Sequence, residues 1–297
     1  MKIAIYGHYF NEEAKVYVEN LLNYLDSKGA DIYIEEKFSK LIESSIELDS
    51  NYPIFKGYSD LDSTFDLMFT VGGDGTILRS ITYLRDSNIP VIGVNIGRLG
   101  FLATVKKEEI STAIDAIYNK EFKIAERTLL AVKTVPQVKE IGELNFALNE
   151  ITLSRKDTAS MITVDTYLND EHLTSYWADG IITSTPTGST GYSLSSGGPV
   201  ISPQAKNFVL TPIAPHNLNA RPLIIPDNTK IKMRINGREN QSFISLDSRI
   251  TTIDNQTDIY IEKAPFTLKM IELTGQTFFK TLREKLLWGE DTRNKKR

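Results

Sequence analysis

The order of the apolar segments limits what this chain can fold into. Residues 3–6 form a short apolar run that ends at Gly7. Residues 11–28 then place Ala14, Val18, Leu21, Leu22 and Leu25 at helical spacing, with Gly29 suited to the position after a helix end. The alternation continues with a strand over 32–34, a helix over 37–46 and a strand over 65–71. A helix over 76–85, a strand over 89–94 and a helix over 108–118 follow. Short apolar strands alternating with helices imply a parallel sheet covered by helices. Residues 47–64 lack a period and contain Pro53 and Gly57, which predicts a loop.

Near residue 126 the rhythm changes to short strands. Residues 129–135, 147–154 and 162–168 read as strands, with a turn at Asn169-Asp170. In 230–235 the residues Ile231, Met233 and Ile235 alternate with charge and run into Asn236-Gly237, a hairpin cue. Short strands at 244–246 and 259–261 extend the pattern. After Pro265, residues 278–288 again show helical spacing. The expectation is an α/β N-terminal domain with a parallel sheet, 1–125 joined by 266–297, and a mostly antiparallel β domain, 126–265.

Composition excludes several classes. None of the 297 residues is cysteine, so there are no disulfides, thiolate metal sites or cysteine nucleophiles. A net charge of −4 gives no general attraction for nucleic acid or an anionic membrane, so a phosphate ligand must be held locally. No apolar run approaches the roughly 20 residues that span a bilayer. The expected location is the cytoplasm. His8, His172 and His216 do not stand at a metal-ligand spacing.

Four segments carry candidate chemistry. Gly72-Gly73-Asp74-Gly75-Thr76 lies between a strand and a helix, where glycines let backbone approach a ligand and free amides favour phosphate. Asp74 is out of place against bare phosphate. It implies a metal, a hydroxyl to be deprotonated, or simply an N-cap in a tight turn. Ser184-Thr185-Pro186-Thr187-Gly188-Ser189-Thr190-Gly191-Tyr192-Ser193 is dense in hydroxyls. It reads either as a ligand cradle, with Tyr192 stacking on a base, or as a surface loop. Asn149-Glu150 is a polar pair in an apolar strand, suited either to ribose hydroxyls or to an exposed edge. Asp179-Gly180 alone is a common turn dipeptide.

Taken together and in this order, these segments resemble the motif set of NAD kinases, as does Gly97-Arg98-Leu99-Gly100-Phe101-Leu102. The C-terminal segment from Phe279 to Trp288-Gly289-Glu290 resembles the closing helix of that family, which returns to the first domain. The resemblance implies transfer of a phosphoryl group from ATP, with Mg²⁺ or another divalent cation, to the adenosine-ribose 2′-hydroxyl of NAD. It implies a homo-oligomer with NAD bound between the domains and the metal arriving with ATP; no direct protein ligand is assigned to it, although Asp74 could coordinate it instead of acting as base. Asp74 matches the general base of the family, and Gly72, Gly73, Gly75 and Thr76 its phosphate loop. Gly75, Arg79 and Phe101 match NAD-contacting positions, and Asn149 and Glu150 match residues that hold NAD hydroxyls. Trp177, Asp179, Thr187, Thr190, Gly191, Tyr192, Ser193, Leu194, Ser195 and Ala214 match the rest of the dinucleotide pocket. Two positions depart from the pattern. Trp177 stands where many members carry arginine, offering a stacking face in place of a cation. Ser248 follows Asp247 where many carry glycine.

Three rivals are weaker. A lipid kinase with the same glycine loop has no use for the hydroxyl-rich 185–195 segment. A non-catalytic NAD sensor has no use for Asp74. A nicotinamide oxidoreductase would carry a glycine fingerprint where Gly7-His8-Tyr9-Phe10 stands.

Overall fold

In a computed structural model, residues 1–46, 52–97, 100–156 and 160–288 are described. Arg98, Leu99, Gly289, Glu290, the 291–297 tail and positions 47–51 of the expected loop lie outside them. The chain divides into two compact units. Unit 1 comprises Met1–Glu126 and Leu268–Arg297, and unit 2 comprises Arg127–Thr267.

Unit 1 contains β1 (Lys2–Gly7), α1 (Glu12–Ser27), β2 (Asp31–Glu35), α2 (Glu36–Glu43), β3 (Ile54–Phe55), β4 (Leu67–Val71), α3 (Asp74–Leu84), β5 (Val91–Asn95), β6 (Val105–Lys106) and α4 (Ile110–Tyr118). The helix α1 begins where expected because the Asn11 side chain accepts from the Ala14 amide, and it ends before Gly29 at φ 68°. The strands run parallel in the order β5-β4-β1-β2-β3, and Ile3, Ile5, Phe69, Ile92 and Val94 join α1 and α4 in one core. The expected 47–64 loop is not wholly irregular. Ile54–Phe55 adds to the sheet edge beside β2, through a backbone pairing that has no side-chain period.

In this sheet β1 connects outward to β2 on one side, whereas β4 and β5 lie on its other side. The order therefore reverses between β1 and β4, and in open α/β sheets the carboxyl ends of strands at such a reversal are the usual binding place. Gly72 leaves the sheet there, because Gly7 and Val71 are paired at the end of the ladder.

The chain leaves unit 1 within β7 (Phe122–Val135) and continues in unit 2 through β8 (Phe146–Ala147), β9 (Glu150–Arg155), β10 (Ile162–Leu168), β11 (Glu171–Ala178), β12 (Gly180–Ser184), α5 (Tyr192–Ser195), β13 (Asn207–Ile213), β14 (Leu223–Pro226), β15 (Ile231–Asn236), β16 (Gln241–Leu246) and β17 (Arg249–Asp254). It returns within β18 (Asp258–Leu273), whose Met270 pairs in parallel with Val91, and closes with α6 (Phe278–Leu286), N-capped by Thr277. Unit 2 has one antiparallel group in the order β11-β10-β15-β18 and a second antiparallel sheet in the order β14-β13-β12-β9-β16-β17. Their inner faces share a core that includes Val164, Met233 and Ile259 from the first and Ile151, Ile181, Phe208 and Ile244 from the second.

Two sequence expectations are corrected here. Asn236-Gly237 does not close a hairpin. A strand has two edges, and those of β15 are taken by β10 and β18, so the chain switches sheets and β16 pairs with β9 and β17. The expected 147–154 strand is broken at Leu148-Asn149, for a reason that belongs to the site.

Candidate active site

In unit 1 the glycine loop is built around three distinct uses of glycine. Gly72 has φ +150°, and a Cβ there would stand 2.1 Å from Thr76 Oγ1. Only glycine allows the turn to be this tight. Gly73 is the N-cap of α3 and supplies no side-chain cap, so its first amides remain available to an anion. Neither Gly73 nor Gly75 would bring a Cβ within 4 Å of any neighbour. Packing does not require glycine at those two positions, and they lie open beside a helix N-terminus.

Asp74 is not the N-cap. It is the first residue of α3, and its carboxylate reaches across to the segment after β5. Oδ2 accepts from the Phe101 amide at 2.8 Å, and Oδ1 accepts from Leu102 at 3.0 Å and Ala103 at 2.9 Å. Three donors suit an acceptor-only carboxylate with room for about four. Oδ2 therefore retains an acceptor direction. Gly100 lies against this carboxylate. The Phe101 ring packs on Phe278 of α6 at 6.4 Å, and Arg79 is exposed one turn along α3 from Gly75.

In unit 2 the break between β8 and β9 is made by Asp247. This residue occupies the two-residue turn that joins β16 to β17, where Leu246 pairs with Arg249, at φ 52°. Aspartate tolerates that backbone better than most residues. Its Oδ2 accepts from the Leu148 amide at 2.9 Å and its Oδ1 from Asn149 at 2.8 Å and Glu150 at 3.2 Å. The amides that would extend the strand are turned to a carboxylate instead. The Glu150 carbonyl in turn accepts from the Asp247 amide at 2.9 Å. The Asn149 carbonyl accepts from Thr185 at 2.9 Å, and Thr185 Oγ1 donates to Leu148 at 2.6 Å.

Glu150 and Asn149 are not at an exposed edge. Glu150 is buried between β12 and β16, and its Oε2, like Asn149 Oδ1, is buried with no hydrogen-bond partner among the described residues. Leaving both oxygens unpaired is unfavourable in the free fold, so each is suited to receive a ligand hydroxyl. Burial first, and then the neighbouring Asp247, push the Glu150 carboxyl up to about 7, against the Tyr192 amide, which favours its charged form. A Cβ on Gly191 would sit 3.1 Å from Glu150 Oε2 and 3.4 Å from Asn149 Nδ2, so the 187–195 turn faces this pair.

That turn is not a solvated hydroxyl-rich loop. Ser184, Thr185, Thr187, Ser189 and Ser193 are buried. Ser189 Oγ donates to Pro186 and receives the Ile201 amide, and Ser193 Oγ pairs with Thr211 Oγ1 at 2.9 Å. Most of these hydroxyls fold the turn, while Tyr192 presents its ring at 46% exposure. Gly188 passes so close to β9 that a Cβ would lie 2.1 Å from the Asn149 carbonyl oxygen.

The remaining unit 2 positions form a second group. Asp179 pairs with Arg155 at 3.1 Å. Trp177 is exposed and stacks on His216, with 4.2 Å between ring centroids, and His216 donates its amide to the Trp177 carbonyl. Ala214, between them in chain order, is exposed at φ 43°. The sequence reading gave no role to Asp247 or Arg249, and named Thr185 and Gly188 only as members of the hydroxyl-rich segment. Asp247-Ser248 between two short strands was the signal for a two-residue turn, but nothing local announces which amides its carboxylate takes.

Comparison with known proteins follows this division. A family model described as the ATP-NAD kinase N-terminal domain matches residues 3–122, and one described as the ATP-NAD kinase C-terminal domain matches 148–273. A protein of Christiangramia forsetii named NAD kinase is 53% identical over 99% of this chain and 100% of its own length. One of Flavobacterium psychrophilum, also named NAD kinase, is 52% identical over the same shares. Among solved structures, yeast NADH kinase complexed with NADH superposes with a TM-score of 0.84 at 24% identity, covering 98% of this chain and 89% of that one. An NAD kinase from Archaeoglobus fulgidus in complex with ATP gives 0.76 at 24% identity, covering 97% and 99%. At that identity the two structures speak for the fold.

Proposed function

The chain belongs to the NAD kinase family and catalyses ATP-dependent phosphorylation of the adenosine-ribose 2′-hydroxyl of NAD to give NADP, and from this premise we propose how its residues share that reaction. Asp74 takes the proton from the attacking hydroxyl. The observation that carries this reading is the carboxylate held by three amides at the start of α3 with an acceptor direction left on Oδ2. A base held this rigidly is already oriented for the hydroxyl when it arrives, and base catalysis of this kind is typically worth about 10² to 10⁴ in rate.

The amides of Gly73 and Gly75 at the uncapped start of α3 face the ATP phosphates, the Thr76 amide being taken by the Gly73 carbonyl at 2.9 Å, and Arg79 adds a cation on the same helix. Phosphoryl transfer depends on positioning and charge neutralisation more than on covalent chemistry. Among the described residues no group of three or more His, Asp or Glu side chains could hold a metal ion. A divalent cation would come with ATP and neutralise phosphate charge there, with Asp74 the carboxylate that the glycine loop offers.

In unit 2, Asn149 and Glu150 receive NAD hydroxyls on their unpaired oxygens. Gly191 leaves room for that approach, and Tyr192 and Trp177 offer aromatic faces. Asp179, Thr187, Thr190, Leu194, Ser195 and Ala214 complete the surroundings. Ser193 contributes through its backbone, because its hydroxyl is committed to Thr211. Phe101 supports the loop that holds Asp74. The protein works in the cytoplasm as a homo-oligomer. Support for that comes from the family resemblance, and light scattering of the purified chain tests the assembly.

The deciding experiment for Asp74 follows NADP⁺ formation from NAD⁺, ATP and Mg²⁺ with an NADP-specific dehydrogenase. Asp74→Asn is expected to bind NAD⁺ with near-native affinity while kcat falls at least 100-fold, the lower end of what such a base contributes. An unchanged kcat would remove Asp74 from the chemistry.

A further inference from the structure

Asp247 is not among the candidate ligand positions, yet it holds the backbone of Asn149 and Glu150. Its carboxylate takes three consecutive amides, Leu148, Asn149 and Glu150. It also stands in the same turn as Arg249, whose guanidinium donates to the Leu144 carbonyl at 2.5 Å and to that of Phe146, and lies 5.4 Å from the Phe146 ring centroid. Arg249 is thus tied to the stretch leading into β9, and Asp247 to the residues that begin it.

Asp247, partly buried, holds its carboxylate on the Glu150 amide at 3.2 Å and so stands close to the buried Glu150 carboxyl, and the environments of the two are unequal. Asp247 has three amide donors on its oxygens and the Arg249 charge beside it. Glu150 has the Tyr192 amide and an Oε2 with no partner among the described residues. Burial raises both carboxyls. Hydrogen bonds and a nearby cation favour the charged form, so the negative charge of the pair rests on Asp247, and Glu150 is the member that keeps a proton. The charged groups facing the pair are these two and Arg249. Around Glu150, β12 contributes Ser184 as its register partner, β16 contributes Leu246 beside the adjoining Ile151, and α5 contributes Tyr192 through its amide.

We propose that Asp247 is a positioning residue of the acceptor site, fixing the backbone of Asn149-Glu150 and using its own charge to keep Glu150 a protonated carboxyl that both donates to and accepts from the NAD hydroxyls. The inference rests on the reading that Asn149 and Glu150 receive NAD. A neutral carboxyl can donate to one oxygen of a vicinal diol while it accepts from the other hydroxyl, which a carboxylate cannot do. With this arrangement NAD affinity weakens as pH rises through the neutral range and Glu150 ionises. The two-residue turn between β16 and β17 thereby tunes the binding site without touching NAD.

The test measures KM for NAD⁺ and kcat of the full chain from pH 5.5 to 9, with saturating ATP and Mg²⁺, for the wild type, Asp247→Asn and Glu150→Gln. The expected wild-type result is a break in KM near neutrality, with kcat less affected. In Asp247→Asn, loss of the facing charge moves the break down by about one pH unit, and in Glu150→Gln it disappears. A break that stays in place in Asp247→Asn, or that persists in Glu150→Gln, overturns the proposal. Should Asp247→Asn not fold, ¹³C NMR titration of the Glu150 carboxyl in the wild-type chain decides. A midpoint near neutrality supports the proposal, and one in the ordinary glutamate range overturns it. Failure of the underlying reading looks different: Glu150→Gln and Asn149→Ala would leave KM for NAD⁺ unchanged at every pH.

Discussion

Gly100 lies so close to Asp74 that a Cβ built on it would stand 1.8 Å from Asp74 Oδ1. The contact explains how the glycine after β5 and the aspartate after β4 work as a pair. A methyl group at position 100 must displace the carboxylate, and with it the bonds to Phe101, Leu102 and Ala103. Gly100→Ala is expected to lower kcat by 10²-fold or more, as loss of an oriented base would. Stability should fall by about 1–3 kcal/mol, the usual range for overpacking. Steady-state kinetics and a urea melt check both, and near-native kcat would show that Asp74 need not be held where it is.

Two other glycines separate ligand space from packing. Gly75 meets nothing within 4 Å, whereas Gly188 abuts the Asn149 backbone. Gly75→Ala should leave the melting temperature within about 1 °C while KM for ATP rises several-fold, since exposed substitutions away from packing change stability little. Gly188→Ala should lower the melting temperature by several degrees, corresponding to roughly 1–3 kcal/mol of overpacking, and raise KM for NAD⁺. Calorimetry of the two variants side by side makes the comparison, and the reverse pattern would contradict it.

The Glu150 carboxyl gives stability a pH signature. Its value in the folded chain is raised from an ordinary 4.5 to about 7 by burial and by Asp247. An acid that holds its proton more tightly when folded contributes stability that is complete below about pH 4.5 and is lost as pH rises through about 7. A shift of that size corresponds to about 3 kcal/mol. Glu150→Gln, which cannot ionise, should gain stability relative to the wild type between pH 5 and pH 8 and match it near pH 4.5. Denaturant melts at the two ends of that range measure the difference, and a pH-independent difference would rule it out.

Ser193 and Thr211 are both fully buried and satisfy each other at 2.9 Å. Ser193→Ala should destabilise the chain by about 1–3 kcal/mol because it strands the Thr211 hydroxyl. Replacing both, as Ser193→Ala with Thr211→Val, should recover part of that loss. A double-mutant cycle read by thermal melting tests this, and additive losses would mean that the hydroxyls do not act as a pair.

Much of this molecule was legible locally. The helical spacing of Val18, Leu21, Leu22 and Leu25, the Asn11 cap and Gly29 together place α1, because each acts within a few residues of itself. The glycine loop was legible for the same reason: a strand ending at Val71 and a helix expected from Thr76 leave little other use for two adjacent glycines, although the helix begins two residues earlier, at Asp74. Asn236-Gly237 misled because a turn dipeptide reports local backbone preference, while pairing is decided by which strand edges remain free. The Asn149-Glu150 segment misled for a related reason. Its apolar surroundings predict one continuous strand, but an aspartate about a hundred residues further on takes the amides.

The sequence by itself determined the two kinds of architecture, the order of the motifs and the chemistry they resemble, since all of these follow from residue type and short-range spacing. Only the tertiary structure decided that Asp74 and Asp247 each hold a distant loop by three amides, that the hydroxyls of the 184–193 segment are mostly spent inside the fold, and that Glu150 is buried close to another carboxyl. Those facts depend on which groups meet across long stretches of chain, and burial then sets the strength of every charge and hydrogen bond among them.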